Sequence, residues 1–210
     1  MPAIVRTVVA LGLAATLPAA DLDEQGWRAG VELLPWIWET SVASPNGTFD
    51  DEEDVLTAGL NVGWRKSFAR PGALSGPGLG LAVAMIRADF DAGPLDVYEA
   101  RVDGAWGWAL THRNSVWVGL RAGWGLASLD LTDAGAFGDY SADGDGWSLT
   151  PYAEWLWAVG ETWAVGASVG LRAATYELSG GPLAIDLEQY GPVLGVVIEW
   201  RPGSAPRRIE

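Results

Sequence analysis

From Leu56 to Trp64 the chain alternates strictly: Leu56, Ala58, Leu60, Val62 and Trp64 are apolar, and Thr57, Gly59, Asn61 and Gly63 separate them. A period of two is the mark of a β-strand whose faces meet different surroundings. The pattern recurs. Tyr98, Ala100, Val102, Trp106, Trp108 and Leu110 oppose Glu99, Arg101, Asp103 and Gly107, and after the "THRNS" turn Val116, Val118, Leu120, Ala122, Trp124 and Leu126 oppose Gly119, Arg121, Gly123 and Gly125. Trp147 to Trp157 opposes Ser148, Thr150, Tyr152 and Glu154. Trp163 to Leu171 opposes Gly166, Ser168, Gly170 and Arg172, with Tyr176 further along. Tyr190 to Trp200 opposes Gln189, Gly191, Gly195 and Glu199.

Two more segments alternate less cleanly. Trp27, Ala29, Val31 and Leu33 oppose Arg28, Gly30 and Glu32, and Pro35 is expected to mark a bulge beyond which Trp36 and Trp38 change face. Residues 79–90 are apolar on both faces. Gly80, Ala82 and Ala84 suit a crowded interior, so Leu79, Leu81, Val83 and Met85 are placed outward. Eight strands result, with no helical period between them. Connections are expected to be long at 41–54, 91–96, 129–146 and 179–187, and mostly short at the other end, as at 111–115 and 159–162. The fold class that follows is all-β: an eight-stranded antiparallel up-and-down barrel.

Which face looks outward separates two kinds of barrel. A soluble barrel carries Lys, Glu, Thr and Asn outside and apolar residues inside. Here the non-apolar face is mostly Gly, Ala, Ser and isolated charges, too small for a solvated exterior, while the other face is Leu, Val, Ala and Trp. Hydrocarbon outside fits better, and a closed barrel pairs every backbone group at that depth. The tryptophans agree. Trp27, Trp64, Trp106, Trp108, Trp155, Trp157, Trp163 and Trp200 fall near the short-turn ends, and Trp36, Trp38, Trp124 and Trp147 toward the opposite ends. Two belts of amphipathic indoles match the two interfaces of a bilayer.

Composition narrows the chemistry. The chain has 210 residues, 28 Gly, 13 Trp, no Cys and a net charge of −14. The charge argues against nucleic acid as a partner, since phosphates require a basic face, and without cysteine there is neither disulfide nor thiolate metal site. Residues 1–20, "MPAIVRTVVALGLAATLPAA", read as an export signal, residues 21–200 as the barrel, and residues 201–210 as a short tail. No cofactor, metal or catalytic residue is expected. His112, the single histidine, lies in a short turn beside Ser115 and reads as a turn residue. The acidic stretches 49–54 and 139–146 read as solvated loops. The second has the start of a calcium loop but places Thr150 where a bidentate Glu is needed.

The inward face holds the candidate site. Glu32, Arg65, Glu99, Arg101, Asp103, Arg121, Glu154, Arg172 and Glu199 share it. Buried charges persist when paired and hydrogen-bonded, so a salt-bridged network filling a narrow lumen is expected. Asp103 and Arg121, across one hairpin, are its expected cross-strand pair.

With an export signal, eight alternating strands, loop asymmetry and the terminal "YGPVLGVVIEW" closing on aromatic Trp200, the chain resembles the small eight-stranded outer-membrane barrels of the OmpA, OmpX, OmpW and opacity-protein type over residues 21–200. It departs from them in adding "RPGSAPRRIE" after Trp200. The resemblance implies both termini in the periplasm, long loops outside the cell, and outer-membrane lipids, lipopolysaccharide and the barrel-assembly machinery as partners. The functional expectation is a non-enzymatic barrel with an envelope-structural or surface-interaction role, its surface partner unspecified. The alternatives are a narrow channel for ions or small apolar solutes and a secreted, lipocalin-like ligand-binding barrel.

Overall fold

A computed structural model describes residues 25–44, 47–70, 73–90, 93–111, 113–131, 140–180 and 183–202. The expected export signal, the end of the tail and His112 lie outside these residues. The eight strands are β1 (Gln25–Ser44), β2 (Gly47–Ser67), β3 (Ser75–Phe90), β4 (Gly93–Ala109), β5 (Asn114–Leu131), β6 (Tyr140–Ala158), β7 (Trp163–Gly180) and β8 (Leu183–Trp200). Each pairs antiparallel with the next, and β8 returns to β1 to close the ring. Closure leaves no sheet edge unpaired.

The strands are longer than expected. β1 has 20 residues and β2 has 21, where about 9–11 suffice to cross a bilayer. Three of the expected long connections are strand: residues 41–54 fall almost wholly in β1 and β2, 93–96 in β4, and 183–187 in β8. The widest separations are between β5 and β6, residues 132–139, and between β2 and β3, residues 68–74. In β4 and β8 the alternation continues through these segments with its polarity inverted. On β8, Leu194, Val196 and Ile198 point outward at one end, whereas Leu183, Ile185 and Leu187 point inward at the other, with Asp186 and Glu188 outside. Acidic residues in a strand look like a loop when an apolar exterior is the template, and that misplaced the boundaries.

Below, "upper" means the end carrying the β1–β2 tip and "lower" the end carrying residues 110–113. On the lower half the outward residues are apolar, among them Leu60, Val62, Leu81, Val83, Val118, Val169 and Val196. Leu79, Leu81, Val83 and Met85 are exposed on the outer face, and Ala84 is buried on the inner one. Above this band the outward face is rich in acids. Glu52, Glu39 and Glu188 stand side by side across β2, β1 and β8, and Asp186, Glu177 and Asp145 run across β8, β7 and β6.

The lower aromatic belt is continuous where strands meet: Trp27 pairs with both Trp64 and Trp200, and Trp163 pairs with Trp200 at a ring separation of 6.3 Å. Trp106, Trp108, Trp155 and Trp157 are exposed at the same end. The upper border is set by Trp124 and Trp147, cross-strand partners, together with Tyr98 and Tyr190. Their polar tips reach the acidic zone: the Trp124 indole donates to Asp145 at 3.2 Å and the Tyr190 hydroxyl to Glu188 at 3.1 Å. About ten residues separate the belts on β8, one bilayer crossing.

Trp38 corrects the expected belt. No bulge forms at Pro35. β1 keeps one register against β2 throughout, and against β8 it resumes at Ile37↔Tyr190 in unchanged register after Leu33↔Leu194. Pro35 faces Pro192 across this interruption; each lacks an N–H, so the ladder skips without gaining a residue. Trp38 therefore stays on the face of Arg28 and Glu32 and is fully buried, edge-on to Phe90 at 5.3 Å, with its indole donating weakly to Thr57 at 3.5 Å.

Candidate functional site: the charged lumen

Strand parity puts the polar residues of the lower half inside, where backbone groups are already consumed by the ladders. Side chains can then be satisfied only by one another. Glu32, Arg65, Glu99, Arg101, Asp103, Glu154, Arg172 and Glu199 are buried in the lumen, and Arg121 is nearly so. Arg28 joins them, giving five carboxylates to five arginines.

The ion pairs form two circuits. In the upper one, Arg101 binds Glu32 at 2.8 Å and Glu99 at 2.8 Å, and Arg121 binds Glu32 at 2.6 Å. Arg172 grips Glu99 with both terminal nitrogens, one at 2.9 Å, and also donates to the Tyr176 hydroxyl at 2.7 Å. That hydroxyl donates in turn to Glu99 at 2.7 Å. In the lower circuit, Arg65 bridges Glu154 at 2.9 Å and Glu199 at 2.7 Å. Arg28 bridges the same two acids, and Arg201 caps Glu199 from below at 2.7 Å.

The expected Asp103–Arg121 pair is not the one formed. The two are register partners, yet Arg121 reaches across the lumen to Glu32 and lies over the Tyr152 ring at 4.9 Å. Asp103 instead comes within 4.0 Å of Arg28. A narrow barrel brings opposite walls nearly as close as neighbouring strands, and a long guanidinium takes the carboxylate that offers better geometry.

Apolar layers bound the charges. Above them Leu34, Trp38, Ile86, Leu95, Val97, Tyr176, Leu178, Ile185 and Leu187 form one cluster. Below, and interleaved with the lower circuit, Trp117, Tyr152, Leu156 and Val197 form a smaller one. Trp117 fills its end of the lumen because Gly78 and Gly107 leave room: a Cβ on either would come within 2.7 Å of the indole. Arg65 stacks over that ring at 4.2 Å. The indole N–H donates to Ser115 Oγ at 3.3 Å. Parity was the available signal for Arg28 and Trp117, since both alternate with outward tryptophan or valine.

No protein-family model matches the chain, and neither does any curated protein. Solved structures do. The outer membrane protein OprG from Pseudomonas aeruginosa superposes with a TM-score of 0.55 at 10% identity, over 88% of this chain and 98% of that one. Neisserial surface protein A follows at 0.44 and 14% identity, over 83% and 96%. The attachment invasion locus protein Ail of Yersinia pestis follows at 0.39 and 15%, over 82% and 98%. At these identities the likeness speaks of architecture: the chain has the fold of a small eight-stranded outer-membrane β-barrel.

Proposed function

We propose that this protein is a non-catalytic barrel of the bacterial outer membrane whose lumen is sealed, and that it serves envelope structure or surface interaction. The observation that carries the reading is the equal number of acids and arginines, paired inside the membrane-spanning half and bounded by apolar layers. An ion-selective pore favours one sign of charge along its wall. Eight strands enclose a space that side chains can fill, and the buried ion pairs and apolar layers support that filling here. The lower turns then face the periplasm and the acidic upper barrel stands outside the cell, in contact with lipopolysaccharide. Outer-membrane lipids surround the apolar band, and the barrel-assembly machinery inserts it.

The seal is tested by conductance in planar bilayers. Wild-type protein is expected to be nearly silent, and Glu99→Ala, which removes the carboxylate that Arg101 and Arg172 share, to leak. Large steady wild-type currents unchanged by Glu99→Ala would replace the seal with the channel reading. Labelling of single cysteines at Gly47 and Asn114 in intact cells tests orientation, and only the first is expected to react. Recovery in the soluble fraction, with no heat-dependent shift on a gel, would favour the secreted barrel.

A further inference from the structure

The two circuits described above share no member, and between them lies a cavity of about 30 Å³. Arg28, Asp103 and Glu154 of the lower group and Glu32, Arg101 and Arg121 of the upper group line it. Two buried atoms of these side chains, Asp103 Oδ1 and Arg101 Nη2, have no hydrogen-bond partner among the described residues. A buried charged atom without a partner bears its full desolvation cost.

Size and charge select what fits. A water needs roughly 10–15 Å³ of such space and two or more polar partners, so the cavity takes one or two waters and nothing larger. Three acids face three bases, which favours neither a bare cation nor a bare anion. A molecule that both donates and accepts matches a free carboxylate oxygen and a free guanidinium N–H. Small residues keep the space open: a Cβ on Gly195 would stand 2.4 Å from Ser168 Oγ, and one on Gly30 would stand 3.0 Å from Asn61 Oδ1. Asp103 itself is seated against Gly80, where a Cβ would come within 2.5 Å of Oδ1.

We propose that this cavity is a permanent hydration site, in which water accepts from Arg101 and donates to Asp103, joining the two circuits through solvent. The water layer is the joint at which two rigid clusters of charge meet. This rests on the sealed lumen, because only a closed barrel retains such water against exchange with bulk.

The test is water-to-protein Overhauser NMR on the full chain in phospholipid nanodiscs. Cross-peaks from slowly tumbling water to side-chain protons of Asn61 and Ser168, which line the cavity, are expected in the wild type. They are expected to vanish in Ala82→Val, which puts two methyl groups into the space, while distant amide signals stay in place. Missing wild-type cross-peaks in a barrel silent in planar bilayers would overturn the hydration site and leave the seal. Missing cross-peaks in a conducting barrel would overturn both. Cross-peaks that persist unchanged in folded Ala82→Val would overturn the location. If that variant does not fold, the wild-type spectrum decides alone.

Discussion

The lower and upper halves of this barrel share the same eight strands and solve opposite problems. In the lower half Leu194, Val196 and Ile198 of β8 face out and Glu199 faces in; in the upper half Asp186 and Glu188 face out and Leu183, Ile185 and Leu187 face in. β1 makes the same exchange, from Arg28 and Glu32 inside to Leu34 and Trp38 inside. The exterior medium sets the pattern. Hydrocarbon accepts no unpaired polar group, so polar side chains go to the lumen and must neutralise one another. Water outside the upper half reverses the preference, and the interior there becomes an ordinary hydrophobic core. One half is held by directed charge pairs, which are expensive to break singly, and the other by burial, which is lost in proportion to the atoms removed.

The difference can be broken most severely in the lumen. Glu99→Ala leaves Arg101, Arg172 and Tyr176 without their shared acceptor, and a loss of about 3–5 kcal/mol is expected in unfolding from phospholipid vesicles. Adding Arg172→Ala should cost less than the sum of the single changes, because both remove the same Arg172–Glu99 pair. Strict additivity would show that the pairs do not act as a circuit.

A smaller effect separates the two exteriors. Leu60→Arg, Val118→Arg and Val169→Arg put a charge on the lipid face, at about 2–4 kcal/mol each near mid-bilayer, whereas arginine in place of Glu188 on the upper exterior should be tolerated. Equal tolerance at all four sites, read by urea unfolding, would erase the boundary between the halves. In the upper core, Ile185→Val removes one buried methylene, for which about 0.5–1.5 kcal/mol is expected; an effect as large as that of Glu99→Ala would mean the upper core is not held by burial alone. The smallest change has the opposite sign. Glu39 stands between Glu52 and Glu188, and relieving that repulsion with Glu39→Gln should stabilise by about 0.2–1 kcal/mol. The gain should shrink as salt is added, and a loss of stability would indicate that the acidic row has a favourable partner.

Alternation alone was enough to read an antiparallel β-structure, its strand number, and the side on which Leu60, Val118 and Arg172 lie, because a period of two is a local property of extended backbone. The list of inward charges rests on the same local property; Arg28 already stood on that face with Glu32, and the same parity applied to Trp117, between Val116 and Val118, puts its ring inside. Strand ends were not legible. At 183–187 the residues still alternate, but which of the two polarities a strand shows depends on whether lipid or water lies outside it, and that is fixed by where the closed barrel sits in the bilayer. Partners were also beyond the sequence. Register sets Asp103 opposite Arg121, yet Arg121 pairs with Glu32 on a strand far away in the ring. Only closure brings opposite walls within reach of a guanidinium, and the split into two circuits with a cavity between them exists only once all eight strands share one lumen.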